Sequence, residues 1–332
     1  MQSNTPVSEE LIGCRFDVAV AQLRGISRSK ASDLITKGVV SLANRKANKS
    51  ALLLENDKIV FADDSSQGVV ANNLLADSAD SAPYLPSATN ISAKAKQSIE
   101  QSMTIAYQDD DIVVINKPVG MAAHAAAGWD GPTVGNALEA RGISISTTIG
   151  DENRRGIVSR LDSGTSGLML VCRTDLAYEA MKQQFANHTV IKTYHTLVQG
   201  DLAQNKATID APIGRAKVHD FRFTVTPEGK PAVTHWDVLE RFGRATLVSV
   251  NLETGRTHQI RVHFTSIGHP LMGDSMYGAN PVLANQIGLN RQWLHSLELT
   301  FTHPRTLKTI TVKSNYPTDL QHALEAMRAL SK

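Results

Sequence analysis

Arg160-Leu161-Asp162-Ser163-Gly164-Thr165-Ser166-Gly167-Leu168-Met169-Leu170 sets one carboxylate beside a guanidinium, in a turn of small polar residues just ahead of an apolar run. Rigid flanks can aim such a carboxylate into a cleft, where it would serve covalent or acid–base chemistry. To attack carbon or take a proton, Asp162 has to be ionised. An arginine within ~4–6 Å lowers a carboxylate pKa by about 1–3 units and so guards that state. The plain alternative is an aspartate that caps the turn. Ser166 is not a hydrolase nucleophile, because Gly164-Thr165-Ser166-Gly167 lacks the G-x-S-x-G spacing. His258, His263 and His269 invite a metal reading, but no H-E-x-x-H occurs, and they read as hydrogen-bonding scaffold. Lys117, in Asn116-Lys117-Pro118-Val119-Gly120, reads as shaping or solvating a fixed turn, with contact to a phosphate as the alternative.

These groups need elements to hold them. Ile112–Ile115 reads as a buried strand that ends at Asn116. Thr174 caps a helix over about 175–187, with Leu176, Ala180 and Phe185 as its apolar side. Strands are expected over 192–199, 232–240, 245–253, 293–302 and 309–312, and a helix over 321–330. On the first of these strands Lys192, Tyr194 and Thr196 share a face. Ile260, Phe264 and Ile267 recur at helical spacing, so Thr257 reads as an N-cap and Arg261 lies near the start of a short helix. Many strands with few long helices argue for an α+β fold with a large mixed, mainly antiparallel sheet.

Residues 12–62 read as a separate small α+β domain. Phe16, Val20 and Leu23 mark one helix over 15–24, and Ser27 or Ser29 opens a second that Gly38 ends. Strands follow over 39–42 and 58–61. Residues 1–10 read as frayed. Residues 63–102, rich in Asp, Ser, Ala and Asn, read as a flexible linker with a short helix near 92–102, and residues 103–328 as the second domain.

The motifs together carry a resemblance. R-L-D-x-x-T-S-G-L looks like the active-site motif of the RluA-type pseudouridine synthases. The segments around Asn116-Lys117-Pro118, Lys192-Thr193-Tyr194 and Gly255-Arg256-Thr257-His258-Gln259-Ile260-Arg261 resemble their other motifs. The resemblance implies a pseudouridine synthase fold and a reaction that breaks the uridine N-glycosidic bond, turns the uracil and rejoins it through C5. In that reading Asp162 is the nucleophile or base, and Arg261 its basic partner. Tyr194 stacks on the extruded uracil, an interaction worth ~1–3 kcal/mol per base. Arg160 fills the vacated place in the RNA or holds the flipped nucleotide. No cofactor and no metal are implied, and no G-x-G-x-x-G or P-loop occurs. Ser159 stands where the family often has histidine, and Ser163-Gly164 where it often has a charged pair. Residues 12–62 resemble an S4-type RNA-binding domain, with Asn56-Asp57 where Gly-Asp is usual.

The chain has 332 residues, 42% hydrophobic and 20% charged, which suits about two folded domains. The formal net charge is +2, yet the nine Lys/Arg and four acids of residues 12–62 give that segment alone +5. A clustered excess of this kind suits a polyanion; Arg28, Lys30, Arg45 and Lys46 are its candidate RNA contacts. Two distant cysteines, Cys14 and Cys172, form no C-x-x-C pair and are expected as reduced thiols in a cytoplasmic protein. No 18-residue apolar run is present and the first ten residues lack signal-peptide character, so no membrane partner is expected. The domain order resembles the RluD and RluC branch, which implies 23S ribosomal RNA or a large-subunit precursor as partner of a monomer. The alternatives are a tRNA uridine or a non-catalytic RNA-binding ribosome-assembly factor.

Overall fold

The computed structural model describes residues 3–6, 11, 16–24, 28–43, 45, 47–49, 51, 53–54, 57–61, 93–124, 129, 131–146, 156–216 and 222–331, without the side chains of 3–6, 22, 28–30 and 33. The chain divides into two units, Met1–Ala79 and Asp80–Lys332.

The first unit contains β1 (Ser3–Pro6), α1 (Phe16–Arg24), α2 (Arg28–Thr36), β2 (Val40–Leu42) and β3 (Lys58–Phe61). Its sheet runs β1-β3-β2, antiparallel throughout. Residues 3–6, expected to be frayed, instead pair along the whole of β3. Phe16, Ala19 and Val20 of α1 are buried, whereas Leu23, expected on the same inward face, is exposed. α2 ends as expected, where Gly38 adopts φ 74° and closes the turn by donating to the Ile35 carbonyl.

The second unit contains α3 (Ala93–Ser102), β4 (Thr104–Gln108), β5 (Ile112–Lys117), α4 (Val134–Glu139), β6 (Ser166–Cys172), α5 (Asp175–Ala186), β7 (Ile191–Gln199), β8 (Lys206–Asp210), β9 (Ile213–Arg215), β10 (Phe223–Val225), β11 (Val233–Arg241), β12 (Ala245–Leu252), α6 (Gln259–Ser266), α7 (Pro281–Gln286), β13 (Leu294–Thr302), β14 (Thr309–Lys313) and α8 (Thr318–Leu330). Its main sheet runs β4-β5-β6-β13-β7-β12-β11-β8, with β14 also on β13. Among the described strands of this sheet only β6 and β13 pair in parallel, so the sheet is mixed and mainly antiparallel. α3 lies in the segment read as linker. Its C-terminal carbonyls at Glu100 and Gln101 accept from the Arg141 guanidinium.

β6 is buried at all seven positions. A strand covered on both faces shows a continuous apolar run with no alternation, which is why Leu168–Cys172 announced itself only as apolar. Gly167 sits at φ 115° against the β13 backbone, and a Cβ there would fall 2.3 Å from the Ser296 carbonyl oxygen. The glycine of the T-S-G-L motif therefore lets the parallel pair close, which fixes the turn that carries Asp162. Cys172 is fully buried and its thiol pushed up to about 12 by burial, so it packs as an inert hydrophobe. Cys14 lies outside the described residues.

Thr174 caps α5 as expected, its hydroxyl accepting from the Ala177 N–H. The inward side differs from the expectation: Ala177 and Met181 are buried while Leu176 is exposed. α8 buries Leu320, Ala323, Leu324 and Met327 in a cluster with Trp293, at one end of β13. Among the described residues no helix is long and apolar enough to cross a membrane.

Candidate active site

Three segments far apart in sequence meet around Asp162. The first is the turn before β6. The Thr165 N–H donates to the Asp162 carbonyl at 3.0 Å, and the Gly120 N–H to the Ser163 carbonyl at 2.8 Å, which couples the turn to the one that follows β5. The latter is held from within by Lys117, fully buried, whose ammonium donates to the Pro118 and Met121 carbonyls, each at 2.9 Å. Burial lowers its pKa to about 7 against the opposing pull of Asp162. Lys117 is thus a turn-shaping residue, as its sequence context predicted. From the other side the buried Arg291 donates to the Gly164 carbonyl and the Ser166 hydroxyl, and pairs with Asp319 at 2.6 Å.

The second segment is β7, flanked by β12 and β13 in the middle of the sheet. Tyr194 points into the shared core, and burial pushes its phenol up to about 12. It is therefore neutral near pH 7 and suited to stacking. The third segment is α6. Thr257 does not cap it; His258 holds the N-cap position in a left-handed conformation, φ 57°, without a side-chain cap. The Thr257 hydroxyl instead accepts a hydrogen bond from Arg160. The left-handed residue turns the His258 ring back toward the carboxylate.

Arg261 Nη1 stands 3.3 Å from Asp162 Oδ2, and His258 Nε2 3.7 Å from the same oxygen. Arg261 is gripped from behind by Asp274, with Nε–Oδ2 at 2.6 Å and Nη2–Oδ1 at 2.8 Å, and lies 4.9 Å from the centre of the Tyr277 ring. Burial works against its charge, but the ion pair with Asp274 and the charge of Asp162 hold its pKa above the ordinary arginine range. Burial would likewise raise Asp162; the charges of His258, Arg261 and Arg160 reverse this and hold the carboxyl below its usual range. Burial depresses His258 below the ordinary histidine range against the opposing pull of Asp162, so Arg261 is the cation beside the carboxylate that does not titrate. The result is an ionised carboxylate at the wall of a cavity of about 70 Å³, lined also by Tyr194, Leu252, Ile260 and Leu294.

The RNA pseudouridylate synthase family profile matches residues 111–266, a span that includes Asp162, Tyr194 and Arg261. An uncharacterised RNA pseudouridine synthase of Mycobacterium bovis is 45% identical over 323 residues, 97% of each chain. This chain belongs to the RluA-type RNA pseudouridine synthases. The enzyme is similar in sequence to the ribosomal large subunit pseudouridine synthase D of Nitrosomonas europaea, 36% identical over 98% of this chain and 87% of that one. A human protein, RNA pseudouridylate synthase domain containing 1, shares the fold at TM-score 0.53 and 24% identity, over 69% of this chain and 96% of that one.

The synthase thus brings Asp162, Tyr194, Arg261 and Arg160 together. Of the N-terminal candidates, Arg28 and Lys30 lie on α2 with undescribed side chains, and Lys46 falls outside the described residues. Arg45 is engaged within its own unit by a two-pronged pair with the buried Asp57, at 3.0 and 2.7 Å. Sequence reading missed Asp274, and with it the anchor of Arg261. Its one local signal is the turn residue Gly273, at φ 79°; nothing in Gly273-Asp274 announces a buried ion pair. His263, read as scaffold, is fully buried and bridges Thr234 and the Ala211 carbonyl.

Proposed function

We propose that this enzyme isomerises specific uridines of 23S ribosomal RNA to pseudouridine, with Asp162 as the nucleophile or base acting on a flipped-out uridine. The observation that carries the role of Asp162 is its carboxylate, held ionised by Arg261 at 3.3 Å at the wall of a cavity that Tyr194 also lines. An uncharged phenol offers a face on which a uracil can stack, and Arg160, exposed at the rim, is suited to enter the vacated stack. A base buried in folded RNA has to be extruded before a carboxylate can reach its sugar. The net reaction breaks N1–C1′ and forms C5–C1′; C5 loses a proton and N1 gains one, so no redox partner or group donor enters. Ordinary glycoside hydrolysis would call for a second carboxyl acid. Among the described residues the other acid beside Arg261 is Asp274, which is 1% exposed and committed to that arginine.

The substrate reading draws on relatives named ribosomal large subunit pseudouridine synthase D, which align over nearly the whole chain, the N-terminal unit included. We read residues 12–62 as an S4-type RNA-binding domain, 63–102 as its tether, 103–328 as the catalytic domain, and the enzyme as a cytoplasmic monomer. Pseudouridine mapping on RNA from cells with and without this protein tests the substrate: specific 23S positions should revert to uridine. Loss confined to tRNA, or no loss, would overturn the ribosomal reading. Removal of residues 1–62 should weaken binding to a 23S transcript and flatten the dependence of affinity on salt, since each lost phosphate contact lowers the log–log slope by about 0.7–0.9. An unchanged slope in a filter-binding titration would remove the RNA-binding role from that unit.

A further inference from the structure

We propose that a second cavity, of about 450 Å³ on the far side of Tyr194, seats a phosphodiester of the RNA strand against Lys192; the inference rests on the reading of the site as an RNA uridine isomerase. The two cavities share Tyr194, Arg160, Leu252, Gly255 and Arg256, so a chain threaded through one continues into the other. Lys192 lies on β7 two residues before Tyr194 and on the same face, about 7 Å away along the strand. It is only 9% exposed. Among the described residues no hydrogen bond or carboxylate reaches its ammonium; its recorded neighbour is the Phe185 ring, 5.9 Å off.

A lysine buried in this way is costly unless something pairs with it. Lys117 shows the contrast within this fold: its still more deeply buried ammonium holds two carbonyls. Arg160 and Arg256 add two more cations to the wall. Among the described residues the acid there is Glu253, which is turned to His235 at 2.6 Å. Such a wall suits an anion, and the anion covalently continuous with an extruded uridine is its own sugar–phosphate chain. Phosphate contacts fix register without reading sequence, which is what a site beside the stacking tyrosine requires.

Lys192→Met removes the charge at nearly constant volume, and Lys192→Arg keeps it. With transcribed 23S ribosomal RNA as probe, Lys192→Met should raise the half-saturating RNA concentration about tenfold and lower the salt slope by about 0.7–0.9. Lys192→Arg should restore the slope. Without RNA, the Lys192→Met protein should unfold at the same or a higher temperature, because an unpaired buried cation has been removed. An unchanged slope would overturn the proposal. So would a Lys192→Met protein that unfolds earlier or fails to fold, since the ammonium would then serve the fold. The parent reading is tested separately. Lys192-dependent binding without pseudouridine formation would sink the ribosomal reading and leave the seat standing. Pseudouridine formation with a Lys192-independent slope would sink the seat alone.

Discussion

Asp162→Ala and Asp162→Asn enzymes should fold as the parent does and lose at least about 10³-fold in tritium release from C5-labelled uridine in RNA. The effect is large because, among the described residues, the carboxylate is the one ionised, solvent-reachable acid at the wall of the small cavity. It falls on chemistry because the Asp162 turn is built without the side chain: the Thr165 N–H donates to the Asp162 carbonyl, and Gly120, Arg291 and Gly167 hold the flanks. RNA affinity should therefore stay near that of the parent. Full release by Asp162→Ala would take the reaction away from this residue.

The second large effect is expected at Arg261. In Arg261→Met the Asp274 carboxylate, 1% exposed, loses its two-pronged partner. An orphaned buried charge of this kind costs about 3–5 kcal/mol, which urea unfolding would register. Asp162 loses its lasting cation in the same step. The sign follows from the ionised form being the active one. Arg261 lowers the Asp162 pKa, so its removal raises that pKa, and the acid limb of the rate–pH profile moves upward. Activity lost on the acid side should return as pH rises. Asp274→Asn separates the two effects: stability drops while the acid limb moves far less, because the guanidinium stays charged beside Asp162. An Arg261→Met profile that superimposes on that of the parent would show that Asp162 needs no cation from α6.

Much of the architecture was legible because it is local. β3 begins and ends where the Lys58–Phe61 pattern puts it, and β7, β11, β12, β13 and α5 lie within a residue or two of their expected bounds. Alternation, helical periodicity and a capping threonine each act over a few residues, so their marks are written in short windows. The misreadings share a cause. Leu23 and Leu176 were assigned inward by spacing, yet both are exposed, and Ala177 is buried next to Leu176. Which of two apolar residues faces the core depends on the partner surface, and a small residue wins where helix and sheet approach closely. β1 was missed because its order comes from β3, some fifty residues away.

The candidate site divides along the same line. The turn chemistry of Arg160–Gly167, the strand carrying Tyr194 and the helix carrying Arg261 were readable, and family resemblance supplied the pairing of Asp162 with Arg261 across 99 residues. The left-handed His258, Asp274 behind Arg261 and the buried Lys192 beside Tyr194 were not readable. A residue's type and neighbours set which elements form and which groups can ionise. Whether a charge is buried, and what stands within 4 Å of it, is settled when distant segments pack and exclude water. The sequence by itself therefore determined the candidate carboxylate and the elements around it; the tertiary structure alone decided the field that keeps it charged and the small cavity whose wall it joins.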